Sequence, residues 1–392
     1  MKTNLLACVV LVCSLLTVTP AAAATAWQVD LSRTAASSTN VATGAGGRLG
    51  SAANQAASAD PGLRTGFAVY PHRLAAPANA FTAEVRSSVP AGAELAVDVR
   101  GRSGDAWSEW VEIRPGQPGV LPEPVTDIEV RAVLSAPLDV PSPTLTGLSV
   151  VPATVPGGRV RSTSVGLSYS VFATREGLVG RTTANGHRVA ARDHFVALPS
   201  WRGLSGRDTG DYSVRVCAAN GRCAWAPVWD VGPWNTRDDY WAEAGQRQEW
   251  HDLPPGKPEA QAAHQDGYNG GKDQFGRRVA NPAGIDLADG TFWDGLKLKT
   301  NAWVTVTYEW TGANPAGYVN TPGDALNVRT APNSQAAIVG IAGNHAQVRI
   351  ECAVAGEQVA GSEGTTNSWY RLAAGMFVSA AYVSGPRTAT AC

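Results

Sequence analysis

One carboxylate stands out, because Asp230 ends a short apolar strand and is followed at once by the chain-breaking pair Gly232-Pro233. Strand ends, where a rigid sheet gives way to a loop, often carry functional side chains. Aromatic residues flank this position: Trp229, Trp234, Tyr240 and Trp241. Such rings can stack on the apolar faces of sugars while an acid protonates the glycosidic oxygen. The stretch therefore predicts a sugar-handling cleft, although the same residues could instead pack the corner of a β-barrel.

Four further polar residues are candidates for the same site. Asp286 alternates with apolar neighbours on a predicted strand, where a second carboxylate could serve hydrolysis with a water between the two acids. It could equally cap a strand end. Thr183 and Asn185 could bind sugar hydroxyls or orient Asp230, and they also fit an ordinary tight turn. His194 could assist acid–base chemistry, or form a local surface hydrogen bond with the adjacent Asp193.

Composition and spacing argue against several other functions. The formal net charge is -1, and Lys and Arg are scattered, so we expect no nucleic-acid partner. The sequence contains neither a phosphate-cradling glycine loop nor a dinucleotide fingerprint, and we expect no cofactor. The polar stretch 236–283 lacks the ligand spacing of a calcium loop or a zinc cluster. We therefore expect no metal.

The start of the chain predicts export. Lys2 precedes the apolar run Leu5–Val18, and small residues at Ala22–Ala26 offer a cleavage site, so residues 1–26 are predicted to be a secretion signal. No later apolar stretch is long enough to span a bilayer. We therefore expect a secreted, extracellular or wall-associated monomer without a membrane span.

Four cysteines remain after the predicted cleavage, and an even number in an oxidising compartment favours two disulfides over free thiols. Three pairings are possible. We favour Cys217 with Cys223, because these residues bracket an Asn-Gly hairpin turn and would face each other across two strands. Cys352 would then pair with Cys392.

The rest of the chain is organised as short alternating strands between turns rich in Gly (42) and Pro (25). This pattern predicts an all-β, multidomain protein. The expected units are a flexible lead-in (27–65), a β-sandwich (66–152), a linker (153–164), a β-barrel (165–311) with a long insertion (236–283), and a small terminal β-barrel (317–392).

Four short motifs of the central unit occur in the order of a known family. They are the turn Gly180–Gly186 with Thr-Ala-Asn-Gly, the strand Ala197-Leu-Pro199, the strand end Asp230-x-Gly-Pro233, and Ile285-Asp-Leu287. Together they resemble the six-stranded double-psi β-barrel of the rare lipoprotein A family and, more distantly, of expansins. The resemblance implies that Asp230 protonates the glycosidic oxygen of peptidoglycan. The 6-hydroxyl of muramic acid then attacks, which is lytic transglycosylase chemistry. The expansin likeness implies the alternative, a polysaccharide-binding protein that does not cleave.

Both flanking units resemble wall-binding modules. Asp98–Ile113 is similar to a stretch of the jelly-roll, galactose-binding-like modules attached to secreted wall enzymes. Leu326-Asn-Val-Arg329 and the close Phe377–Val383 resemble a bacterial Src-homology-type barrel, with its tail tied back by Cys352 and Cys392. These likenesses imply peptidoglycan or another cell-wall polysaccharide as the partner.

Overall fold

The computed structural model describes residues 25–44, 48–51, 63–104, 106–156, 165–323, 325–386 and 389–392. Strands make up 51% of the described residues and helices 9%, which confirms the all-β class. The predicted secretion signal lies almost entirely outside the described residues, and so do residues 157–164 of the predicted linker.

The N-terminal unit is one ten-stranded sheet in the order β3-β4-β10-β5-β9-β6-β7, with β1, β2 and β8 paired at its sides. The strands are β1 (Trp27–Gln28), β2 (Ser37–Thr39), β3 (Val41–Gly44), β4 (Arg48–Ser51), β5 (Leu63–Ser88), β6 (Glu94–Ser103), β7 (Ala106–Trp107), β8 (Val111–Glu112), β9 (Gly119–Pro137) and β10 (Thr144–Ala153).

Two long strands turn this sheet into a sandwich. β5 and β9 pair along 63–73 with 127–137, and again along 78–81 with 119–125, with irregular register between the two stretches. Tyr70 and Val130 from the first stretch share one hydrophobic core with Phe81 and Leu148 from the second part of the sheet. The two parts of the sheet therefore enclose a common interior.

The prediction of a flexible lead-in over 27–65 was wrong for its described residues. Strands β1 to β4 fall within it. β1 and β4 pair with β10, β2 pairs with β5, and β3 pairs with β4. Val29 and Leu31 are buried in the sandwich core, and the Trp27 ring stacks on His72 at 4.2 Å. The small, polar composition concealed this, because a short strand added to an existing sheet gains backbone hydrogen bonds and needs few apolar residues.

The central unit is a closed six-stranded barrel, as predicted. Its order is β12-β15-β11-β16-β13-β14, and β14 pairs back with β12. The pairs β11–β15 and β12–β14 are parallel, and the others are antiparallel. The strands are β11 (Leu167–Arg175), β12 (Val196–Leu198), β13 (Ser213–Ala218), β14 (Cys223–Val231), β15 (Ala283–Leu287) and β16 (Ala302–Tyr308).

The insertion folds against this barrel with little regular structure. It contains one helix, α1 (Glu259–Asp266), whose Ala260 and Ala263 form a small apolar core with Val279 and Trp234. Short 3-10 helices lie at Trp201–Gly203, Ala244–Gln246, Tyr268–Gly271, Glu309–Thr311 and Ala380–Tyr382, and a π-helical turn spans Gly290–Gly295.

The terminal unit continues the barrel sheet, because β19 pairs in parallel with β14. Its strands are β17 (Ala316–Val319), β18 (Ala325–Arg329), β19 (Ile338–Gly343), β20 (Gln347–Arg349), β21 (Cys352–Gly361), β22 (Gly364–Ala373), β23 (Met376–Ser379) and β24 (Val383–Ser384). Both predicted disulfides are confirmed: Cys217–Cys223 joins β13 to β14, and Cys352–Cys392 ties the tail to β21.

Buried polar contacts lock the sandwich onto the barrel. Arg131 of β9 forms an ion pair with Asp98 at 2.8 Å and donates a hydrogen bond to the Trp201 carbonyl at 2.9 Å. Glu109 accepts hydrogen bonds from the indole N–H groups of Trp241 (2.9 Å) and Trp310 (2.6 Å). Breaking such buried pairs is costly, so the two units are held in a fixed arrangement.

Candidate functional site

Strand register brings the two predicted acids into one row of the barrel. Asp286 on β15 is the cross-strand partner of Ala197 on β12, and Ala197 is the partner of Asp230 on β14. On its other side Asp286 pairs with Thr174 of β11. Neighbouring strands lie about 4.8 Å apart. Because the residue between the two acids carries only a methyl group, nothing bulky separates their carboxyl groups.

The Asp230 side chain is only 2% exposed, and backbone donors hold it in place. The N–H groups of Ala184 and Val231 both donate to its Oδ1 at 2.8 Å. The turn around Ala184 is fixed by Thr183, whose hydroxyl donates to Asn185 Oδ1 at 2.7 Å, and by Asn185, whose amide donates to the Ser205 carbonyl at 3.2 Å. Thr183 and Asn185 are buried. Their hydrogen bonds hold the turn whose Ala184 N–H reaches Asp230, which fits the orienting role considered for them.

A third acid, Glu176, joins this pair and was missed in the sequence. It follows β11 directly, and its N–H donates to the Leu287 carbonyl at 2.9 Å. Its carboxyl lies close enough to those of Asp230 and Asp286 for their negative charges to raise its pKa. Among the described residues, no N–H or O–H donor reaches its buried Oε2. Negative charges beside a carboxyl group favour its protonated form.

Burial is the largest influence on the pKa of Glu176. It raises the pKa of Glu176 well above the ordinary value of 4.5, and the negative charges of Asp230 and Asp286 raise it further. Burial also raises the pKa of Asp286 to about 6, although a hydrogen bond from the Thr174 hydroxyl to its Oδ1 opposes the increase. The cluster therefore places a carboxyl group with a strongly raised pKa beside other carboxyl groups, and acids whose pKa values are pushed apart are the components of general acid–base catalysis.

A small cavity touches Asp230 where the barrel meets the sandwich. Its volume is about 20 Å³, which is room for about one water molecule. Asn40 and Thr65 of the sandwich line one side, and Asp230, Ala184 and Trp201 of the barrel line the other. A sugar does not fit on this side. Glu176 and Asp286, in contrast, are partly exposed as whole residues, although the Glu176 Oε2 atom is buried.

The predicted aromatic lining was wrong. Tyr240 and Trp241 are fully buried and pack against Tyr308 with ring centroids 6.2 and 5.1 Å away. The Trp229 indole donates to the Thr209 carbonyl at 2.8 Å, and Trp234 packs on the insertion core. None of the four is among the described residues that line the Asp230 cavity. Residues close to Asp230 in the sequence need not share its cleft, because successive residues of a strand point to opposite faces.

His194 lies two residues before β12. A side chain at Gly343 or Gly290 would collide with it, so these two glycines mark its surroundings. The partner predicted for it, Asp193, instead contacts His187, with 2.7 Å between Oδ2 and Nε2. His187 in turn packs against the Trp229 ring at 4.6 Å. The sequence placed Asp193 beside His194, but the turn after Asn185 brings His187 closer.

The described part of the chain contains no group of three or more His, Cys, Asp or Glu side chains arranged to hold a metal ion. Within the same residues, no helix is both long and apolar enough to cross a membrane. Residues 167–307, the central barrel, match a family described as a domain of unknown function (DUF8814). No curated protein matches the chain.

Proposed function

We propose that this protein is exported and cleaves the glycan strands of peptidoglycan or a related cell-wall polysaccharide, with the Glu176–Asp230 pair as the acid. One observation carries the proposal: Glu176, Asp230 and Asp286 meet at one end of a closed barrel. In this proposal Glu176 and Asp230 share one proton. A carboxyl that stays protonated at neutral pH is what glycosidic cleavage requires.

The proposed reaction begins with transfer of the shared proton to the glycosidic oxygen. The bond between this oxygen and the anomeric carbon breaks, and the leaving sugar departs as an alcohol. The positive charge that develops at the anomeric carbon is stabilised by the carboxylate of Asp286. The 6-hydroxyl of the same muramic acid then forms a bond to that carbon, and its proton returns to the carboxyl pair. Attack by water instead would give hydrolysis with the same proton balance.

Export is proposed from three features. The sequence begins with the pattern of a secretion signal, and the described residues contain two disulfides and no helix suited to crossing a membrane. In this proposal the sandwich and the terminal unit bind the wall as parts of a monomer. Linked binding units raise the local concentration of substrate at the barrel without any single tight site.

A second function, glycan binding without cleavage, is favoured by a different observation. Asp230 is only 2% exposed, and its cavity holds about one water. In that case the acids would stabilise the barrel end or hydrogen-bond a sugar, as the expansin likeness implies, and no product would form.

The test is mass spectrometry of soluble fragments after purified peptidoglycan is incubated with wild type, Glu176→Gln and Asp230→Asn. Asp294→Asn is the control, because this barrel acid is partly exposed and its ion pair is with Arg192 at 3.4 Å, away from the cluster. We expect anhydro-muropeptides from wild type and control, and at least about 100-fold less from the other two. Reducing ends would indicate hydrolysis. No fragments from a wild type that sediments with the wall would favour the binder.

A further inference from the structure

Two of the 13 tryptophans are exposed, and all 13 lie within the described residues. Trp293 is 37% exposed, but the guanidinium groups of Arg175 and Arg192 lie over its ring at 4.8 and 5.0 Å. Trp303 is 42% exposed, and its recorded ring contact is with Phe172 at 5.7 Å and 70°. Among the described residues, Trp303 therefore presents an aromatic face to solvent with no cation–π contact over its ring.

Trp303 belongs to a row of side chains on the outer face of the barrel. The register pairs Phe172 with Trp303 and Ser170 with Thr305 across β11 and β16. In the next pair, Ser168 lies 2.7 Å from the Thr307 hydroxyl. We call Ser168, Ser170, Phe172, Trp303 and Thr305 the hydroxyl–aromatic strip. All five are exposed or partly exposed, and none carries a charge.

We propose that the hydroxyl–aromatic strip binds an uncharged polysaccharide strand made of flat, β-linked sugars. Such a sugar presents an apolar C–H face and a rim of hydroxyls. The Trp303 ring can stack on the apolar C–H face, and the hydroxyls of Ser170 and Thr305 can hydrogen-bond the sugar hydroxyls. The lack of charge in the strip disfavours an acidic polymer or a nucleic acid, because these are held by cationic side chains.

The size and pairing of the strip disfavour a protein as its occupant. Five residues of β11 span about 14 Å, and two strands are about 10 Å wide, so the strip covers on the order of 150 Å². A stable protein interface needs about 800 Å² from each partner. Addition of a strand is also disfavoured, since β11 and β16 each pair on both sides within the barrel.

The strip lies on the strand that leads to the acid cluster. From Phe172 to Glu176 is four residues, or about 13 Å along the strand direction. A glycan held on the strip would therefore start close to the partly exposed acids. Binding itself needs none of these acids, so this site is independent of the cleavage proposed above.

The test is calorimetric titration of the full chain with two uncharged probes, the β-1,4-linked hexasaccharides of N-acetylglucosamine and of glucose. The Glu176→Gln background is used so that cleavage cannot consume the probe. We expect at least one probe to bind, Trp303→Ala to weaken it about tenfold or more, and Trp303→Tyr to restore most of the affinity. Trp293→Ala is the matched control, and we expect it to keep the affinity.

Two outcomes would overturn the proposal. One is binding that Trp303→Ala leaves unchanged, and the other is no binding of either probe at millimolar concentration. If all variants unfold at the same midpoint, a loss of binding cannot be due to a loss of folding. Trp303→Tyr still tests the site if Trp303→Ala proves unstable. Peptidoglycan fragments from wild type would still support cleavage if the strip failed, and binding to the strip would stand if no fragments formed.

Discussion

Removing the Thr174 hydroxyl beside the acid cluster should lower the free energy of unfolding in a pH-dependent way. Thr174 donates a hydrogen bond to Asp286 Oδ1 from the neighbouring strand. The bond stabilises the ionised carboxylate, which is why it lowers a pKa that burial raises to about 6. Thr174→Val keeps the size and β-branching of the side chain and removes only the donor. We expect the pKa of Asp286 to rise further.

The size of the effect follows from the strength of the bond. A hydrogen bond to a charged group contributes about 1.5–3 kcal/mol, and one pKa unit corresponds to about 1.36 kcal/mol. Losing the Thr174 hydroxyl should therefore raise the pKa of Asp286 by about one to two units, from about 6 to about 7–8. Carbon-13 NMR titration of the labelled carboxyl group measures this directly.

The same change predicts when stability is lost. The pKa of Asp286 is 3.8 in the unfolded chain and about 6 in the fold. The folded state therefore binds more protons between these values, and its stability falls as pH rises through them, by about 3 kcal/mol in wild type. In Thr174→Val the fall continues to about pH 7–8. We expect similar unfolding free energies at pH 5, and a variant less stable by about 1.5–3 kcal/mol at pH 8.5.

Urea denaturation at the two pH values is the assay, and Asp286→Asn alone and combined with Thr174→Val completes a double-mutant cycle. With no titrating carboxyl at position 286, the pH-dependent part of the Thr174→Val effect should vanish. An equal loss of stability at pH 5 and pH 8.5 would refute the reasoning, because it would mean that the hydroxyl supports packing rather than the carboxylate.

Two further predictions concern the frame around the site. Arg131→Met leaves a buried carboxylate without its ion pair, so the unfolding free energy at pH 7 should fall by about 3–5 kcal/mol in urea titration; a loss below about 1 kcal/mol would contradict a locked interface. Removing Cys352–Cys392 frees a loop of 40 residues and should cost about 4 kcal/mol, against about 2 kcal/mol for Cys217–Cys223 with a separation of 6. The denaturation midpoints of the two double alanine variants show which disulfide contributes more stability. A larger loss for Cys217–Cys223 would rule out the loop-entropy account.

Local patterns were sufficient to predict much of the fold. Alternating apolar residues such as Val304 and Val306 of β16 define a strand with one buried face without any knowledge of its partners. The Asn-Gly turn between Cys217 and Cys223 fixed a hairpin register, and with it the first disulfide. The alternation pattern did not predict the strands of the lead-in, because these strands rely on backbone pairing with a sheet formed elsewhere in the chain.

The site was only partly predictable, because its members meet through pairing between distant segments. Asp230 and the Thr183–Asn185 turn could be selected from their motifs. Glu176 could not, since Arg175-Glu176-Gly177 looks like an ordinary polar strand end. Only the parallel pairing of β11 with β15, about 110 residues later, brings Glu176 beside the row of acids. The position of Trp201 in the lining of the Asp230 cavity could not be predicted either, because it depends on the contact between barrel and sandwich.

The exposure of each acid suggests how the proposed chemistry would be divided. Asp230 is buried and receives two backbone N–H bonds, which favour its ionised form. Glu176 lacks such donors among the described residues and is partly exposed. The shared proton of the proposed mechanism should therefore reside mainly on Glu176. Asp230 then serves as the fixed charge that keeps this proton in place, and Asp286 as the carboxylate facing the developing positive charge. A rigid barrel end suits this division, because the acidity of Glu176 depends on its distance from Asp230.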